Sequence, residues 1–144
     1  MYMPSYLQHS AQINGKKDIN RAELAAIYAG MLMAPVDHIQ VLSDSITAIY
    51  LIKGIQKSGK YSTLVDCIKF ISYKKFNGCV DYIKVKGHSG VYGNEVADRL
   101  AGLASSDLSS DLFYIPEAKP THDIEEVVLS NIHMNSRIHN IIFS

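Results

Sequence analysis

Two cysteines are all that this chain of 144 residues holds, and Cys67 and Cys79 lack the spacing of a metal site. A disulfide framework is therefore excluded. The expectation is two reduced, partly buried thiols, one in a helix and one at a strand start. No apolar stretch approaches the roughly 20 residues of a membrane-spanning helix. The opening "MYMPSYLQHS" has neither the basic start nor the apolar core of a signal peptide. These absences point to an intracellular protein, cytoplasmic or nuclear, with no membrane role. Internal repeats are also missing, which removes solenoids and propellers.

With 47% hydrophobic and 19% charged residues, the composition is that of a folded globular protein, and the length suits one domain plus a tail. The formal net charge is zero, but it is unevenly spread. Eight lysines between Lys53 and Lys86 face only Asp66 and Asp81, a local balance of +6. From Asp98 to Glu126, seven acids face Arg99 and Lys119, a balance of −5. A basic middle is what a polyanion-binding face requires, although a solvated lysine-rich helix has the same composition.

Hydrophobic period supplies the elements. Residues 5 to 13 form a short strand with poor alternation. Asn20 is a preferred N-cap, and Glu23 three residues on completes a capping-box pattern. Leu24, Ile27, Tyr28, Met31 and Leu32 then share a helix face that Pro35 ends. "HIQVLSDS" reads as a buried strand with Ile39, Val41 and Leu42 on both faces, and Asp44 at its carboxyl end. Ser45 caps a helix in which Ile46, Ile49, Tyr50 and Lys53 share a side, and Gly54 closes it. Leu64, Val65, Ile68, Ile71 and Ser72 continue in helical period to the Asn77-Gly78 stop. "CVDYIKVK" alternates as a strand, and Asn94 caps a helix with Val96, Ala97, Leu100, Leu103 and Ala104 in its apolar stripe. Strand, helix, strand, helix, helix, strand, helix predicts an α/β fold. Residues 1–104 make the domain. Residues 105–144 are a polar linker and a carboxy-terminal helix, docked on the domain or on a partner.

In open α/β sheets, ligands bind beyond the carboxyl ends of the strands. Asp44 belongs there, as does the turn Gly87-His88-Ser89-Gly90, while Glu23 and Asp98 lie in early turns of helices that could meet that edge. Carboxylates converging without partners repel, so a cation is needed among them. Oxygen donors of this kind select hard divalent ions. Two such ions would serve an in-line phosphodiester displacement, and His88 on a glycine-flanked turn suits proton transfer near the leaving group. Each residue also has a plain structural use: Glu23 as the capping-box partner, Asp44 as a helix-terminus acid, Asp98 as a solvated helix acid and His88 as a loop histidine.

Three segments, "NRAELAAI", "VLSDSITAI" and "IKVKGHSGVYGNEVADRLA", closely resemble corresponding segments of the type 1 ribonuclease H family, over about residues 10 to 104. The resemblance implies a ribonuclease H-like mixed sheet flanked by helices, of cellular or retroelement descent, acting on the RNA strand of RNA–DNA hybrids. It implies that Glu23, Asp44 and Asp98 bind two Mg²⁺ ions, with Mn²⁺ as an alternative, and that His88 assists product departure. Asn20 and Ser45 resemble positions that contact the hybrid, and Asn94 one that supports the turn beside it. The sequence departs from the family in one respect. The family's amino-terminal strand carries a further metal-binding aspartate, usually in "D-G-S", and no "D-G" precedes Glu23; the sole acid before it is Asp18. An amino-terminally truncated domain is therefore expected. The strand Ile39 to Leu42 would then have an apolar edge that residues 1 to 13 or a second chain must cover. A catalytically inactive module that binds nucleic acid or a protein partner is the alternative to the nuclease.

Overall fold

The computed structural model describes residues 11–13, 18–34, 38–86, 111–113 and 123–134. In chain order these form β1 (Ala11–Ile13), α1 (Ile19–Met33), β2 (Ile39–Ser43), α2 (Ile46–Lys53), a 3-10 turn (Gly59–Tyr61), α3 (Ser62–Phe76), β3 (Val80–Lys84), β4 (Asp111–Phe113) and α4 (Ile124–Met134). Helices and strands alternate through the middle of the chain, as the hydrophobic period predicts. Among the described residues there are two strand pairs, β2 with β3 and β1 with β4, and both are parallel. None of the described helices is long and apolar enough to cross a membrane.

Leu24, Ile27, Tyr28, Met31 and Leu32 of α1 are all buried, the face that the sequence period requires. They meet Leu64, Val65, Cys67, Ile68 and Ile71 of α3 in one core that also takes in Ile39 and Val41 of β2. The helix stops at Met33 because Ala34, ahead of Pro35, is pushed to an extended backbone, φ −64° and ψ 127°. Its start differs from the capping-box reading. Asp18, not Asn20, is the N-cap, and its carboxylate accepts the backbone N–H groups of Asn20 at 3.0 Å and Arg21 at 3.2 Å.

That carboxylate is also a tertiary contact. The Tyr61 hydroxyl donates to both of its oxygens, at 3.0 and 2.9 Å, and Lys60 Nζ lies 3.1 Å from one of them. The Arg21 N–H first, then Tyr61 and Lys60, favour the charged form and hold the carboxyl at about 2, below its ordinary 3.8. A depressed folded-state pKa stabilises the fold above the unfolded value, and that stability is lost as pH falls through the folded one. Wild type is therefore expected to lose urea stability between about pH 4 and pH 2 more steeply than Asp18→Asn, measured by fluorescence of the tyrosines. Equal slopes would show that the carboxylate is not held in this way.

At the other end of α1, Lys75 of α3 donates to the carbonyls of Met31 and Leu32, both at 2.9 Å. It occupies the place where a cation best complements a helix carboxyl terminus, and burial lowers its pKa. α3 thus grips α1 at both ends, through Tyr61 just before its first turn and Lys75 in its last.

Two expectations about faces need correction. In α2 the buried residues are Ala48, Ile49, Leu51 and Ile52, while Ile46, Tyr50 and Lys53 are exposed. Six of its eight residues are apolar, so sequence offers several stripes, and packing against α1 and α3 selects one. In β2, Ile39, Val41 and Ser43 are buried, Gln40 is exposed and Leu42 is half-buried, so the strand buries mainly one face. Cys67 is wholly buried and its thiol is pushed up to about 12 by that burial, whereas Cys79 is exposed rather than partly buried.

The described part of the amino-terminal segment, β1, does not lie beside β2. It pairs with β4, Ala11 opposite Asp111 and Ile13 opposite Phe113. Among the described residues β2 has one strand partner, β3. The carboxy-terminal helix α4 packs on α3, with Val128 1% exposed inside the main core and Ile124 and Val127 against it.

Candidate active site

Parallel pairing fixes the geometry around Asp44. Ser43 stands opposite Lys84, and the Val85 N–H donates to the Ser43 carbonyl at 2.9 Å. Asp44 is the first residue past the carboxyl end of β2, and β3 runs out in the same direction beside it towards Lys86. This is the edge of an α/β sheet where ligands bind. The turn at Asp44 is built from serines on either side. Ser43 Oγ accepts the Ser45 N–H at 3.1 Å, and Ser45 Oγ accepts the Ala48 N–H at 3.1 Å as the N-cap of α2. The Asp44 side chain is half-buried, and none of the ion pairs among the described residues involves it.

Glu23 is in α1, half-buried, and follows Ala22, whose N–H closes the first helical turn onto the Asp18 carbonyl at 2.9 Å. With Asp18 as the cap, the capping-box position falls on Arg21, and Glu23 lies two residues beyond it. Asn20, in the first turn of α1, is half-buried. Ser45 uses its oxygen as the cap acceptor, which leaves its hydroxyl proton to donate outward.

His88, Asn94 and Asp98 lie outside the described residues, as does the whole Gly87-to-Gly90 turn. Among the described residues, no three His, Cys, Asp or Glu side chains are grouped to hold a metal ion. Glu23 and Asp44 are nevertheless hard oxygen donors on partly exposed side chains, the donor chemistry that fits Mg²⁺ or Mn²⁺ and not a soft metal.

Of the eight lysines in the basic stretch, Lys75 is spent on the α1 carboxyl terminus and Lys60 is paired with Asp18. Lys53, Lys57, Lys69, Lys74, Lys84 and Lys86 are exposed. Sequence reasoning did not single out Ser43, whose only signal is a serine on the inward side of an apolar strand.

Comparison with known proteins gives one finding. A family model described as RNase H matches residues 1–106. No curated protein matches significantly, and no solved structure does.

Proposed function

The chain belongs to the RNase H family, and from that premise we propose that it hydrolyses the RNA strand of RNA–DNA hybrids. The observation that carries this reading is the placement of Asp44 just past the carboxyl end of a parallel strand, with β3 leaving the sheet beside it. Glu23, Asp44 and Asp98 would hold the divalent ions, which when bound supply an activated water and charge neutralisation at the phosphate. Asn20 and the Ser45 hydroxyl position the hybrid by donating to its backbone, with Asn94 supporting the turn. His88 moves the proton at the departing 3′-oxygen. The P–O3′ bond breaks, leaving 3′-hydroxyl and 5′-phosphate ends. The six exposed lysines supply a salt-sensitive attraction for the backbone.

One observation favours a second reading, a module that binds hybrids or a protein partner without cutting. Asp18, the acid nearest before Glu23, has both carboxylate oxygens committed to the α1 cap, Tyr61 and Lys60. A labelled hybrid incubated with no metal, with Mg²⁺ and with Mn²⁺ separates the two. Metal-dependent products ending in 3′-hydroxyl and 5′-phosphate are expected. Retention of the hybrid with no cleavage at any metal concentration would establish the second reading. If all six lysines contacted phosphates, binding would fall about a thousandfold between about 50 and about 200 mM salt.

A further inference from the structure

Ser43 is one of two polar side chains that are buried among the described residues, at 4% exposure, the other being Asn131 of α4. It follows Ile39 and Val41 on the inward side of β2, where a third apolar residue would serve the core better. Packing therefore does not explain a hydroxyl here. Its bonding does. Ser43 Oγ reaches across Asp44 to accept the Ser45 N–H at 3.1 Å, and the Ser43 carbonyl accepts the Val85 N–H at 2.9 Å. Ser45 is in turn anchored as the cap of α2. Asp44 is thus the one residue between two fixed neighbours, with its backbone set by a local ring that a hydroxyl closes.

From this geometry we infer that Ser43 is a positioning residue, holding the Asp44 carboxylate in the orientation that a divalent ion requires. The inference rests on the reading of Asp44 as a metal ligand. Metal–oxygen distances tolerate only a few tenths of an ångström, so a carboxylate on a loosened turn binds more weakly even with its chemistry unchanged. Alanine at position 43 would keep the strand and its burial but leave the Ser45 N–H without its acceptor. Threonine keeps the hydroxyl and suits a strand.

The test uses the full chain with ¹³C-labelled aspartate, following the Asp44 carboxyl resonance during Mg²⁺ titration of wild type, Ser43→Ala and Ser43→Thr. Melting temperature and hydrogen exchange at the Ser45 amide are measured in parallel. In Ser43→Ala the Mg²⁺ midpoint is expected to rise about tenfold or more, with faster exchange at Ser45, and in Ser43→Thr to return to within about threefold of wild type. A wild-type resonance that responds to Mg²⁺, matched by an equal midpoint in Ser43→Ala, overturns the inference alone. So does a loss in both variants that merely tracks their melting temperatures. A wild-type resonance that ignores Mg²⁺ overturns the assignment of Asp44 as a ligand, and this inference with it.

Discussion

Asp44→Asn is expected to lower hybrid hydrolysis about a thousandfold or more, a barrier increase of about 4 kcal/mol, while the protein still folds and still binds the hybrid. Asparagine has nearly the same shape, so the turn made by Ser43 and Ser45 persists, and only the charge is removed. That charge lies just ahead of the α2 cap, where an anion contributes about 0.3–1 kcal/mol through the helix dipole. The melting temperature should therefore fall by a few degrees at most, on the order of 4 °C. A neutral amide is a far poorer ligand for a hard divalent ion than a carboxylate, and that loss falls on the chemical step. Single-turnover cleavage at saturating Mg²⁺, with melting temperature measured alongside, reads both effects. Hydrolysis within tenfold of wild type would remove Asp44 from the reaction.

What sequence conveyed about the turn that carries Asp44 was the part written in local pattern. Asp44 was legible because an apolar run ends there and a capping serine follows; Ser45 and the left-handed Gly54, at φ 77°, bracket α2 as the residue types require. The cap of α1 was not legible. Asp18 and Asn20 are both good cap residues, and the Asn20–Glu23 spacing imitates a capping box. The choice is made by Tyr61, 43 residues away, which adds a hydrogen bond that only Asp18 receives. The capping-box reading of Asn20 and Glu23 therefore fails at its cap, which is Asp18, two residues earlier.

The same limit applies to charge and pairing. A lysine count cannot separate Lys75, folded inward onto two carbonyls, from Lys74 beside it, which is exposed. Nor does period reveal that β1 pairs with β4, because three-residue strands one hundred positions apart carry almost no alternation. In each case a partner distant in sequence, absent from any local window, decides the outcome. His88 and Asp98, the most specific part of the sequence signature, stand outside the described residues, so of the proposed site residues the structure describes Glu23, Asp44, Asn20 and Ser45.

α4 lies beyond the segment that matches the family, yet Val128→Asp is expected to destabilise the protein by about 3 kcal/mol or more, close to 10 °C in melting temperature for a chain of this size. Val128 is 1% exposed and belongs to the same core as Leu24 and Ile68, so a carboxylate there must be desolvated or neutralised. Leu129, next to it and 59% exposed, is the control, and Leu129→Asp should stay within about 0.5 kcal/mol of wild type. The loss should extend past stability, because α4 packs on α3, and α3 holds both ends of the helix that carries Glu23. Loosening α3 releases Asp18 at one end and the Met31 and Leu32 carbonyls at the other. If Val128→Asp and Leu129→Asp melt alike, α4 is not part of the cooperative unit, and the support of α1 stops at α3.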